Sequence, residues 1–378
     1  MYAPRDFSTM QSCFRFVTLH GDPCSRTINQ VCLNGEYESM NLSHAGTGIP
    51  STPTLFISDA EIGEVSDWHA AIDALREAYG SSINSAMIPP RTMARGDGTW
   101  LRCLSAVSPS GRHMGCKLIS AYVKPDATRA SYLVALFDIF SMNLNALMDG
   151  NRITGIRTAA TAAVAVDVAA PHKPLRIGAI GSGFEANGLL SALISVRAVE
   201  VVRVFSPTPS SRERFASTFR SASLNVEAVA SPQEAVAGMD VVLCAARSRD
   251  GNPVFKGEWL EPGMTVVSIG STLPEQREVD EETIARSALI VADMPHEVTD
   301  ETGDLLAAAS AGVAFADKVV SLSDFVAGRI QRKPEDIVLY KSVGSALQDI
   351  VTAEMLFDRA RERSLGFELS QSIVPVKK

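Results

Sequence analysis

No stretch of this sequence approaches the roughly 18–20 continuous apolar residues that a membrane-spanning helix requires. Met1–Gln30 also lacks a cationic start followed by an apolar core. Neither a membrane anchor nor a secretory leader is expected, and the chain reads as cytoplasmic. Basic runs are missing too: no cluster exceeds a pair of Lys or Arg, and the formal net charge is −8. A nucleic-acid partner, which would demand cations to neutralise phosphates, is therefore not expected. The six cysteines, Cys13, Cys24, Cys32, Cys103, Cys116 and Cys244, nowhere show CxxC spacing and read as free thiols in a reducing compartment. Cys13, His20 and Cys24 form a loose grouping with neither the count nor the spacing of a closed metal shell, so no metal site is expected.

What is present is an ordinary globular composition, 46% hydrophobic over 378 residues, long enough for two domains. Residues 1–52 are polar and irregular and read as a poorly ordered extension. Folded sequence begins with a short strand at Thr54–Ile57. Ser58-Asp59-Ala60-Glu61 then spells a capping box, and Trp68–Tyr79 repeats apolar residues at helical spacing, with Ile72, Leu75 and Ala78 on one face. Between Pro89 and Asp149 the runs Thr99–Val107, Gly115–Tyr122, Ser131–Ser141 and Ala146–Asp149 are strand-like and separated by Gly and Pro, as in an antiparallel sheet.

A helix is expected at Thr158–Val168. Strands at Arg176–Ile180, Val201–Ser206, Val241–Ala245, Thr265–Ile269 and Leu289–Ala292 then alternate with helices. That alternation marks an α/β fold with a Rossmann-like, doubly wound parallel sheet. A last helix, Val343–Ser364, buries Leu347, Ile350, Val351 and Met355. The expected organisation is a dinucleotide-binding domain over 157–317, inserted into an α+β substrate-binding and dimerisation domain formed by 53–156 plus 318–378.

The most informative run is Leu175–Ala186, an apolar strand leading into Gly181-Ser182-Gly183-Phe184-Glu185-Ala186 and a helix through Val196. Gly181 would make the tight turn, Gly183 would let the backbone approach a pyrophosphate, and Ala186 would keep the helix near the sheet. Free amides at that helix N-terminus favour phosphate. The second strand ends Val204-Phe205-Ser206-Pro207-Thr208, with no carboxylate to bind ribose hydroxyls and repel a 2′-phosphate. Ser206, Thr208 and Arg212 offer hydroxyls and a cation instead, which favours NADP(H) over NAD(H). The other use of such a segment is to turn the chain and cap the next helix. Ala245, at the end of a later strand, is a further expected cofactor neighbour.

From about Leu55 to Leu365 the chain resembles the ornithine cyclodeaminase/mu-crystallin family, which includes cyclodeaminases, ketimine reductases and alanine dehydrogenases. The marks are Pro89-Pro90-Arg91, Gly115-Cys116-Lys117, Gly155-Ile156-Arg157-Thr158-Ala159-Ala160, the GxGxxA turn, Ile269-Gly270-Ser271 and Tyr340-Lys341-Ser342-Val343-Gly344. The resemblance implies that Arg91, Lys117 and Arg157 converge on the carboxylate of an amino or imino acid, with Arg157 near the nicotinamide. It further implies that Thr158, Ser182, Gly183 and Phe184 follow the pyrophosphate, and that Ser342 and Val343 approach nicotinamide and substrate; Glu185 and Ser271 join the cofactor set. Ser342 could alternatively cap the last helix, and Lys117 could simply pair with a carboxylate such as Asp138.

Two departures from the family pattern stand out. Arg102 and Thr272 occupy positions where the cyclodeaminases carry carboxylates, and neither exchanges protons readily near neutral pH. Arg102 would suit a second anionic group on the ligand. Glu275, Glu278, Asp300 and Asp304 are nearby acids that fit equally well on solvated loops. The leading expectation is an NAD(P)H-dependent oxidoreductase that moves hydride between nicotinamide and the α-carbon of a small imino or amino acid, with Lys117, Arg157 and Thr272 at the reacting end. The alternatives are a cyclodeaminase-type lyase that retains NAD, and a catalytically silent NADP(H)-binding protein. A homodimer is implied by the family, and the apolar run Leu133–Phe137, which demands cover on both faces, fits either that interface or an ordinary core within the domain.

Overall fold

Alternating burial between Leu55 and Asp149 makes strands β1 (Leu55–Ile57), β2 (Thr92–Arg95), β3 (Thr99–Val107), β4 (His113–Lys124), β5 (Ala127–Asp138) and β6 (Leu144–Asp149). The computed structural model describes residues 52–376 apart from 125, 126 and 249. The extension expected over 1–52, with the Cys13, His20 and Cys24 grouping, lies outside the described residues except for Thr52. β6 shows how the sheet is covered: Leu144, Ala146 and Met148 are buried while the intervening residues are half-exposed, the period-2 pattern of a one-sided sheet. The covering helices are Gly150–Ala169 and Ala346–Glu362, and Trp68–Gly80 packs on both of them. The Ser58–Glu61 capping box forms as expected, and Ile72, Leu75 and Ala78 face the core.

A second sheet contains β7 (Leu175–Ile180), β8 (Val199–Phe205), β9 (Asn225–Ala228), β10 (Val241–Cys244), β11 (Thr265–Ser268), β12 (Leu289–Ala292), β13 (Val319–Ser321) and β14 (Val338–Lys341). Its order is β13-β12-β14-β11-β10-β7-β8-β9, and all its pairings are parallel. Central strands β10, β11 and β14 are buried throughout, because helices cover both faces of a parallel sheet. The chain runs outward from β7 in opposite directions, so the crevice between β7 and β10 is the topological switch point where such sheets bind ligands. A short strand β15 (Phe367–Glu368) pairs with β1 and completes the first sheet, ordered β15-β1-β6-β5-β4-β3-β2.

The sheets draw the domain boundaries differently from the sequence reading. β13 and β14 lie within 318–378 yet belong to the nucleotide-type sheet. Strands this short carry no periodicity of their own, and Tyr340 and Lys341 break the apolar run. The other boundary, at 156/157, falls inside one continuous helix, Gly150–Ala169, which starts at an Asp149 cap and is buried almost all round. The last helix begins at Ala346 rather than Val343, because Gly344 takes φ +81° and Ser345 supplies the cap. Ser342 is therefore not its N-cap.

Gly181 takes φ +110°, and a Cβ there would lie 2.8 Å from the Ala245 carbonyl oxygen. Gly181→Ala should lower unfolding free energy by about 1–3 kcal/mol, read by urea denaturation. An unchanged midpoint would mean that the turn relaxes freely.

Candidate active site

The glycine turn at the end of β7 sets one wall of the site. Gly183 is the N-cap of helix Phe184–Val196 and makes no side-chain cap bond, and a Cβ built on it would meet nothing within 4 Å. With no side chain capping them, the first-turn amides of this helix fit a pyrophosphate approaching over Gly183. Ala186 is buried against the sheet. Phe184 remains 65% exposed and lies over Gly155, where a Cβ would come within 2.7 Å of its ring. The Ser182 hydroxyl donates to Ser206 Oγ at 2.9 Å, tying the turn to the end of β8. Arg212 lies with its guanidinium 5.7 Å from the Phe205 ring centroid and donates to the Ser206 carbonyl at 3.0 Å. Thr208 is the N-cap of the following helix, with Pro209 at its start, so the segment does turn the chain into that helix; the Thr208 hydroxyl itself is exposed and makes no cap bond.

A cleft of about 610 Å³ runs from Glu185, in the first turn of helix Phe184–Val196, to the covered face of β3 and β4, lined among others by Arg102, Lys117, Arg157, Thr272 and Val343. Thr158, Ala245 and Ser342 also line it. Lys117 is fully buried and donates from Nζ to Asp349 Oδ1 at 2.6 Å. Arg157 Nε donates to the same oxygen at 3.0 Å, and its Nη1 donates to Gln348 Oε1 at 2.9 Å. Burial pushes the Lys117 ammonium down to about 8 although the Asp349 charge pulls the other way. Gly344 is required by this packing as well as by its φ, since a Cβ there would lie 2.5 Å from Arg157 Nη1.

The expected residues do not all converge. Arg91 is held between Glu297, at 3.1 Å, and Glu301, at 2.6 Å, and its remaining donors reach the carbonyls of Val343 and Thr272. Its charge is already compensated. The Thr272 amide and hydroxyl both donate to Gln276 Oε1, and the Ser271 hydroxyl donates to the Gln276 carbonyl; both close their own loop. Asp138 does not pair with Lys117 but receives Ser141 and Phe140 donors in its own turn. Glu278 and Asp304 are not on solvated loops: both are fully buried. Glu278 receives Ser268 Oγ and the amides of Gly270 and Ala246, and burial pushes its carboxyl up to about 7. Asp304 pairs with buried Lys341 at 2.8 Å. Glu275 and Asp300 are exposed.

Sequence reasoning missed Asp349, Gln348 and Asp293. Asp349 reads locally as an ordinary first-turn helix acid, which hides it. Asp293, just past β12, accepts from Ser342 Oγ, the Val343 and Gly344 amides and Gln348 Nε2, so it locks the loop that carries Ser342 and Val343 into the cleft.

The family model described as ornithine cyclodeaminase/mu-crystallin family matches residues 53–364. Ketimine reductase mu-crystallin from Mus musculus is 29% identical over 73% of this chain and 92% of its own length. The structure of Thermococcus litoralis Δ1-pyrroline-2-carboxylate reductase, in complex with NADH and L-proline, superposes with a TM-score of 0.77 at 26% identity, covering 84% of this chain and all of that one. A probable ornithine cyclodeaminase from Bordetella pertussis Tohama I superposes at 0.73 with 30% identity, covering 82% and 99%.

Asp349→Asn removes the partner of two buried cations and should cost about 3–5 kcal/mol of stability, read as a lowered Tm. Unchanged melting would show that Lys117 and Arg157 do not depend on this carboxylate.

Proposed function

This chain belongs to the ornithine cyclodeaminase/mu-crystallin family, and from that premise we propose that it is a nicotinamide-dependent oxidoreductase acting on the C=N bond of a small 2-imino acid, or on the matching amino acid in reverse. The observation that carries this reading is the juxtaposition of Lys117 and Arg157 on one buried carboxylate, in a cleft also lined by Glu185 from the first turn of the helix that follows the glycine turn. A bound nicotinamide dinucleotide would supply or accept the hydride. The chain's residues supply position and charge. Lys117 and Arg157 hold the substrate carboxylate, and the Lys117 ammonium, softened by burial to about 8, can give a proton to the imine nitrogen. Arg91 acts from behind, through the Val343 and Thr272 carbonyls. The relatives named as reductases support the reaction type, and Thr272 in place of a proton-exchanging acid disfavours the lyase.

NADP(H) is the preferred cofactor in this reading. Arg212 over Phe205, with the uncommitted Thr208 hydroxyl beside it, makes a neutral-to-positive end of β8 in which no carboxylate opposes a 2′-phosphate. A homodimer formed through the first sheet completes the proposal. Leu133, Ala135 and Phe137 on β5 are only half-buried in the single chain while Val134 and Leu136 face its core.

The test is NADPH and NADH oxidation against cyclic and linear imino acids, with ornithine plus NAD⁺ alongside. Oxidation of NADPH by an imine supports the reading; ammonia from ornithine without net nicotinamide change overturns it. Ser206→Asp should move preference toward NADH, and no movement would remove the phosphate argument. kcat/KM should fall as pH rises through about 8, because Lys117 loses the proton that makes it a cation. Asp349→Asn should move that limb to lower pH, since the neighbouring carboxylate is what holds the Lys117 proton against burial.

A further inference from the structure

Arg102 is a buried cation of this cleft that makes no ion pair among the described residues. It is 7% exposed, and its Nε and Nη2 are buried with no hydrogen-bond partner. Its guanidinium carbon sits 5.2 Å from the Trp100 ring centroid, which orients the group without neutralising it. An orphaned buried guanidinium is costly, and such strain at a site marks a place kept for a ligand.

The register shows where that place is. Leu104 on β3 pairs with Lys117 on β4, and Arg102 pairs with Ile119. Arg102 and Lys117 are therefore diagonal neighbours on one sheet face, their attachment points about 7–8 Å apart, and both line the cleft. Asp349 answers Lys117 and Arg157 with one carboxylate. Glu297 and Glu301 are engaged by Arg91 and act on Arg102 only through space, so Nε and Nη2 of Arg102 are left to hold a negative group beside the one that Lys117 and Arg157 would hold, one more than a 2-imino monocarboxylate carries.

We infer that Arg102 is a specificity residue that binds a second carboxylate, so that the substrate is a 2-imino dicarboxylic acid whose α-carboxylate lies on Lys117 and Arg157. This rests on the reductase reading and names its substrate class. In the reaction the imine carbon gains a hydride and the C=N π pair takes a proton at nitrogen, giving an amino dicarboxylate and one oxidised nicotinamide.

The experiment compares imines formed in situ from ammonia with oxaloacetate or with 2-oxobutanoate, equal in chain length, in wild type and Arg102→Met. Wild type should favour the dicarboxylic imine in kcat/KM, and Arg102→Met should reduce that ratio by about 10- to 100-fold, the worth of a charge-assisted pair. A wild-type ratio near one that the variant leaves alone overturns the inference while the reductase stands. If neither imine is reduced, the reductase reading fails by itself, and binding decides the subsite. Succinate should raise the Tm of the NADPH-loaded protein more than butyrate does, and that difference should vanish in Arg102→Met; equal shifts in wild type overturn the inference. Without ligand, Arg102→Met should melt no lower than wild type, because it removes an unpaired buried charge. A lowered Tm would assign Arg102 a packing role and overturn the inference.

Discussion

A single buried oxygen, Asp349 Oδ1, organises the centre of this protein. It accepts from Lys117 on β4 and from Arg157 on the helix Gly150–Ala169, while itself belonging to the first turn of the helix Ala346–Glu362. Two buried cations side by side repel each other and lack solvation; without an anion between them Lys117 would give up its proton and Arg157 would be left an uncompensated buried charge. The anion is favoured in turn by the N-terminal end of its own helix. That helix starts where it does because Gly344 takes a conformation other residues avoid and Ser345 caps the next turn. A backbone detail at 344–345 thus sets the position of the carboxylate, the carboxylate sets two cations, and the cations set what the cleft can hold.

The second constraint is the parallel sheet. β12 pairs with β14, so Asp293 at the end of one strand lies beside Ser342, Val343 and Gly344 at the end of the other and takes their donors. β11 carries Gly270 past its end, where Glu278 gathers it together with Ala246 from the end of β10. Both devices work by giving buried backbone amides a carboxylate partner, which they need once loops are packed away from water. The loops around the switch point are therefore held from below by acids that never face the cleft.

Much of the fold was legible. The glycine turn, the capping box at Ser58 and the helix carrying Ile72, Leu75 and Ala78 have local causes, so their sequence patterns were sufficient. β13 and β14 were not legible, because strands of three and four residues containing Lys341 and Tyr340 carry no usable period. Among site residues, the family resemblance singled out Lys117 and Arg157, and they meet in the cleft. The resemblance named Arg91 on the same footing, yet its charge is answered by Glu297 and Glu301. Nothing local distinguishes those two cases.

The amino-acid order alone therefore determined which segments become strands and helices, that a dinucleotide-type turn follows β7, and which cations are available. Tertiary structure alone decided how those cations are paired. Lys117 and Asp349 are separated by 232 positions, Arg91 and Glu301 by 210, and no local pattern encodes a partner at such a distance. Charge pairing is a property of proximity and burial: the same carboxylate that reads as an ordinary helix-start acid in the chain becomes, once buried, the counter-ion of two cations, and the same arginine becomes neutralised or left open according to what the fold brings against it.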